Sequence, residues 1–128
     1  MTKYHNKKKR TADGFLHDSR KEARRWQELQ LLERAGEIRD LTRQVRFLLI
    51  PAQTEEVPRV SPKTGKALKP AVRTVERECT YIADFVYKRG TETIVEDVKG
   101  YRGGTAYDLF SIKRKLMLQI YHIRVKEV

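Results

Sequence analysis

The sequence has a single cysteine, Cys79, in 128 residues. That excludes an internal disulfide and any zinc site built on several thiolates. The three histidines, His5, His17 and His122, are scattered and suggest no metal cluster. No apolar run approaches the ~18 residues that a membrane span requires. The basic N-terminus is not followed by an apolar stretch, so it does not read as a secretory signal. A soluble, cytoplasmic protein is the expectation. Acid is scarce as well: 17 Asp and Glu against 28 Lys and Arg leave a formal charge of +11. So large an excess in one small chain points to a polyanionic partner. Nucleic acid is the leading candidate, and an anionic membrane surface a weaker one.

What is present fits one domain. Residues 1–14 read as a basic arm centred on Lys7, Lys8, Lys9 and Arg10, a phosphate-contacting or merely solvated tail. From 15 to 128 the pattern is that of a small α/β domain. Ala23, Trp26, Leu29 and Leu32 recur at helical spacing, with Ser19 as a cap and Gly36 as a stop. A β-rich run covers 45–50. Residues 52–70 carry three of the four prolines and read as a long inserted loop. A weak strand is expected over 72–78, and clear ones over 80–87 and 93–99. Gly100 to Gly104 form a loop before a second helix over 105–121, on which Leu109, Ile112, Leu116 and Ile120 make a stripe. Ile123 and Val125 alternate with basic residues in a last strand. Cys79, Trp26, Phe85 and Tyr87 are expected in the core.

Ionisable residues sit inside the two most apolar strands. Asp84 lies in Ile82–Val86, and Glu96, Asp97 and Lys99 follow Ile94 and Val95. Strand side chains alternate faces, so Asp97 and Lys99 point one way and Glu96 the other. A two-residue turn at Gly90-Thr91 sets Asp84 opposite Asp97. Paired carboxylates repel each other, and a hard cation such as Mg²⁺ or Mn²⁺ would remove that cost. A register slip of one residue would substitute Glu96, the fallback ligand. The competing reading is a solvated sheet face with Lys99 simply paired to Asp97.

Glu22 falls on the apolar stripe of the first helix and needs a partner there. It either reaches the acidic pair or closes a capping box with Ser19. Arg102 in the glycine loop, and Lys113 and Lys115 on the second helix, are candidate phosphate contacts, or else a solvated face.

Glu22 on a helix, Asp84 in a strand and Asp97-Val98-Lys99 in the next together resemble the PD-(D/E)XK nuclease superfamily. The chain is also similar to a phage- and prophage-associated family described only as a domain of unknown function. That likeness is carried by Asp18–Glu22, Tyr81–Phe85, Val95–Gly100 and Lys113–Leu116. The resemblance implies an αβββαβ core with a mixed central sheet. It implies metal ligation by Asp84, Asp97 and the Val98 carbonyl, with Lys99 catalytic and Glu22 an accessory acid. Ala83 stands where the superfamily's signature has a proline, which many members lack. The activity so implied is Mg²⁺-dependent DNA endonuclease cleavage by a homodimer, with branched DNA such as a Holliday junction as leading substrate. The alternatives are a non-catalytic binding module of the same fold, an RNA-associated basic protein, and a phage regulator of a host protein.

Overall fold

The computed structural model describes residues 8–14, 16–17 and 19–128. His5, Lys7 and Asp18 lie outside them. The elements, in order, are β1 (Lys9–Arg10), β2 (Leu16–His17), α1 (Arg20–Arg34), β3 (Arg39–Ile50), β4 (Gln53–Val60), β5 (Ala67–Glu76), β6 (Cys79–Arg89), β7 (Glu92–Asp97), α2 (Gly104–Tyr121) and β8 (Val125–Glu127). A four-stranded sheet ordered β3-β6-β7-β8 forms the centre. Its first two pairings are antiparallel and the last is parallel. The protein is therefore a small α/β domain with a mixed sheet and two helices. Among the described residues no helix is long and apolar enough to cross a membrane.

Local chemistry sets the helix ends. Ser19 is extended, and its hydroxyl accepts from the Glu22 N–H at 3.1 Å, which satisfies one of the free donors of the first turn of α1. The helix buries Glu22, Ala23, Trp26 and Leu29. Trp26 stacks on Phe85 with ring centroids 5.7 Å apart, and Leu29, Ile38 and Tyr87 complete that half of the core. The other half joins Leu49, Tyr81, Ala83, Val95 and Val125 to Phe110 and Met117 of α2. Cys79 packs at its edge.

The expected stripe on α2 is rotated. Phe110 and Met117 are the buried residues, one heptad apart, while Leu109, Ile112 and Ile120 stay 53, 56 and 41% exposed. The helix turns its aromatic ring and its methionine inward, where they fill more space against the sheet, and only Leu116 of the expected four packs on the core.

Two other expectations are corrected. Residues 52–70 do not form an irregular loop: β4 and β5 pair as an antiparallel ribbon. The prolines concealed this pattern, yet Pro58 and Pro70 sit within a two-stranded ribbon whose edges tolerate a missing N–H. The described part of the basic arm is also not a free tail. Lys9 and Arg10 pair with His17 and Leu16, Thr11 is buried, and the Asp13 carboxylate accepts from the Trp26 indole N–H. That bond satisfies a donor which burial of Trp26 would otherwise leave without water.

The β6–β7 hairpin turns at Gly90-Thr91 as expected, with Arg89 opposite Glu92 and Phe85 opposite Glu96. Gly90 has φ +62°, a conformation that side chains with a Cβ resist. Gly90→Ala is expected to lower stability by about 1 kcal/mol, read as a lower urea midpoint at unchanged slope.

Candidate functional site

The hairpin register brings the acids together. Phe85↔Glu96 is the last pairing of the hairpin, and the next residues along each strand are Asp84 and Asp97. There the Asp84 carboxylate accepts from the Val98 N–H at 2.8 Å. On the other side of β6, pairing with β3 passes from Arg43↔Phe85 to Val45↔Ala83, so Gln44 lies across from Asp84. Gln44 has φ +53°, a local break in strand geometry. Its side-chain amide donates to Glu22 at 3.1 Å and to Asp84 at 3.4 Å. Gln44 thus ties the helical glutamate to the strand aspartate.

Glu22 is 3% exposed, and the His17 ring lies 3.7 Å from its carboxylate. Its backbone N–H completes the Ser19 cap, and its side chain reaches toward Asp84 through Gln44.

Asp97 is buried, and each of its oxygens has a partner. The Lys99 ammonium lies 2.8 Å from Oδ1, and the Tyr81 hydroxyl donates to Oδ2 at 2.6 Å. Lys99 follows the end of β7, and two backbone bonds to the C-terminal residue hold it in place. Its N–H donates to the Val128 carbonyl at 2.9 Å, and the Val128 N–H returns to the Asp97 carbonyl at 2.9 Å. The ammonium also stands 3.6 Å over the Phe110 ring, a cation–π contact from α2. Lys21 of α1 donates to the Lys99 carbonyl at 2.6 Å.

Electrostatics mark Asp84 as strained. Burial, then the nearby Asp97 charge, push the Asp84 carboxyl up to about 7, with Glu22 adding to the effect and the Val98 N–H opposing it. Burial and Asp97 likewise push the Tyr81 hydroxyl up, so it stays a donor at neutral pH. The Asp84 value carries a sign. Its folded value lies above the ordinary 3.8, so its stabilisation is complete below about pH 4 and is lost as pH rises toward 7. The loss is up to roughly 4 kcal/mol. In EDTA the melting temperature of the protein should fall over that window, and Asp84→Asn should flatten the fall and raise the melting temperature at pH 7.5. An unchanged profile in Asp84→Asn would contradict this.

Glu96 takes no part in the pair. It is wholly buried on the α1 side, where Arg25 grips both of its oxygens at 2.8 and 2.7 Å and the Tyr87 hydroxyl donates to it. Burial alone would raise its carboxyl, but the bonds from Arg25 and Tyr87 outweigh that and hold it below the usual range. The fallback role expected for Glu96 is therefore corrected: the predicted register held, and Glu96 serves the helix–sheet contact.

Asp97 and Lys99 open onto a surface cleft of about 310 Å³ between β6 and α2, walled by Thr80, Tyr81, Phe110 and Lys113. Lys113 thus lines the cleft. Lys115 borders a separate hollow with Arg114 and Arg124. Arg102 lies 3.4 Å from Glu127 at the sheet edge. Lys8, Lys9 and Arg10 are exposed near α1. Gln44 and Arg25 lie outside the stretches that the sequence marks, and Lys21 and Tyr81 lie inside them without being singled out, because a polar residue gives no signal of its contacts until the sheet pairs it.

Among the described residues no three His, Cys, Asp or Glu side chains form a ready-made metal cluster. The donor chemistry nevertheless fits a hard cation. Two carboxylates stand on adjacent strands, and burial together with the Asp97 charge already raises Asp84, a cost that a cation would offset. Asp84 and Asp97 would hold such an ion.

A small α/β domain that brings Asp97 and Lys99 to a cleft, with Asp84 on the neighbouring strand, is the class defined by fold and site. Residues 1–127 match the family described as Protein of unknown function (DUF1064), and the chain belongs to that family. Neither the curated proteins nor the solved structures contain a match.

Proposed function

We propose that the protein is a metal-dependent DNA endonuclease of the PD-(D/E)XK type, with a restriction-endonuclease-like fold. One observation carries the reading: Asp97 and Lys99 pair and face a cleft with Lys113 on its wall, and Asp84 of the neighbouring strand bonds to the Val98 N–H between them. With the β4–β5 ribbon set aside as an insertion, the order α1-β3-β6-β7-α2-β8 supports the same fold.

A Mg²⁺ or Mn²⁺ ion held by Asp84, Asp97 and the Val98 carbonyl, with Glu22 nearby, would supply Lewis-acid charge at a phosphoryl oxygen. The protein's own residues do the rest. Lys99, fixed between Asp97 and the Phe110 ring, aligns the attacking water and offsets negative charge developing on the phosphate. Gln44 keeps Glu22 and Asp84 in position. Lys113 binds the substrate backbone at the cleft wall. The overall charge of +11 draws the polyanion in. Branched DNA in a phage or prophage setting and a homodimeric assembly belong to this reading by analogy alone.

A non-catalytic module of the same fold is the second reading. It is favoured by the fact that both Asp97 oxygens already hold partners, so Asp97 is neutralised without a cation.

The test is incubation with a labelled four-way junction and a matched linear duplex, in Mg²⁺ and in EDTA. Cutting of the junction only in Mg²⁺ is expected. Binding with no cutting, in Mn²⁺ as well, would transfer the conclusion to the non-catalytic module.

A further inference from the structure

The β4–β5 ribbon takes no part in the core. Pairing runs from Ile50↔Cys79 in the central sheet to Gln53↔Glu76 at the ribbon base in the same register, with a break at Pro51, which has no N–H to give. The ribbon is thus an outgrowth of the β3–β6 pair, and its eight-residue strand β4 reaches roughly 25 Å. Its strands pair with each other and make at most marginal contact with other elements. From 53 to 76 only Val57, Ser61 and Ala71 are even partly shielded from water.

The tip is nonetheless ordered. The Ser61 N–H donates to the Lys66 carbonyl at 2.8 Å and the Gly65 N–H to the Ser61 carbonyl at 2.8 Å. Gly65 accepts the φ of +70° that this turn requires. A chain segment that buries so little, yet holds a defined shape, is a device for reaching something outside the molecule.

Charge is sorted along the arm. Between Val57 and Val72 lie Arg59, Lys63, Lys66 and Lys69 and not one acid. The acids Glu55, Glu56, Glu76 and Glu78 gather at the base, where Glu55 pairs with Arg73. Four cations crowded on a narrow projection repel one another, and a polyanion relieves that repulsion. Shape narrows the choice further. A two-stranded ribbon fits the major groove of B-form DNA, about 12 Å wide, whereas the major groove of A-form RNA is too narrow to admit one. A protein partner that adds a strand is disfavoured, because Pro58 and Pro70 interrupt the two strands as templates.

We propose that the β4–β5 ribbon is a DNA-binding arm whose basic tip enters the major groove of duplex DNA flanking the cleft. The inference rests on the reading of the protein as a nucleic-acid binder and deepens it, since it selects duplex DNA over duplex RNA. The arm continues from β6, the strand that carries Asp84, so it grips the duplex beside the cleft and not within it.

The experiment measures binding of the full chain to labelled DNA and RNA duplexes of one sequence, in EDTA, across a salt series. The Arg59→Gln, Lys63→Gln, Lys66→Gln, Lys69→Gln variant is compared with wild type. A second variant neutralises the exposed Arg24, Arg34, Lys88 and Arg89 instead. The expected results are tighter binding of DNA than of RNA, an affinity about ten-fold or more lower in the arm variant, and a log–log salt slope shallower by about 3. The second variant should change affinity and slope far less. Circular dichroism should show the arm variant folded. Wild-type affinity and slope in the arm variant would overturn the proposal. So would equal affinity for RNA, no binding of either duplex by wild type, or an arm variant that loses only self-association. Because no cutting occurs in EDTA, a failed nuclease reading leaves this result standing, and a failed arm leaves the acidic centre standing.

Discussion

Lys99→Ala is expected to slow DNA cutting roughly a hundred- to a thousand-fold, with affinity for uncut DNA in EDTA changed only a few-fold. The expectation follows from how the side chain is held. The ammonium touches Asp97 at 2.8 Å, lies over the Phe110 ring and faces the cleft. Its backbone is fixed by the C-terminal residue, so truncation removes a charge without releasing the strand end. Lys99→Arg is not a conservative rescue, because the planar guanidinium cannot occupy the compact place of the ammonium between carboxylate and ring. It should recover little of the rate. Single-turnover cutting separates the effect on rate from that on binding. A Lys99→Ala protein that cuts at wild-type rate would remove the lysine from the chemistry.

Among the substitutions, Arg25→Ala carries the largest expected loss of stability. Arg25 makes a bidentate pair with Glu96, whose side chain is fully buried, while its own is 18% exposed. Pairing with Glu96 raises the guanidinium further above its ordinary range, so it is charged at every pH where the protein folds. Truncation leaves a buried carboxylate held only by Tyr87. Losing one partner of such a pair costs about 3 kcal/mol or more, a drop of roughly 10 °C in melting temperature for a chain of this size. Arg25→Met combined with Glu96→Leu should recover much of the loss, since no orphaned charge remains. If Arg25→Ala melts with wild type, the pair contributes nothing and Glu96 regains interest as a ligand.

Much of this was legible before any fold was known, for identifiable reasons. The turn at Gly90-Thr91 fixed the β6–β7 register, because a two-residue loop leaves the strands little freedom, and with it came the approach of Asp84 to the end of β7 that carries Asp97. Ser19 and the Trp26 stripe located α1 because capping and amphipathic period act locally. Non-local effects were illegible. The first half of β3, Arg39 to Gln44, is polar and shows no strand pattern; it is a strand because β6 offers it a partner. Gln44 enters the site for the same reason. Both faces of α2 carry apolar residues, so its period did not say which one the sheet would cover. In the β4–β5 ribbon, prolines and charges imitated a loop because a ribbon with little to bury needs no apolar alternation.

The central claim is that the Asp84–Asp97 pair forms a cation-dependent cutting centre. The most direct measurement is the cleavage rate of labelled branched DNA as a function of Mg²⁺ concentration, for wild type and Asp84→Asn side by side. The account predicts saturable cutting by wild type, none in EDTA, and none above background in Asp84→Asn, whose fold persists by circular dichroism. Cutting that survives EDTA, or an Asp84→Asn protein that cuts like wild type, would contradict it.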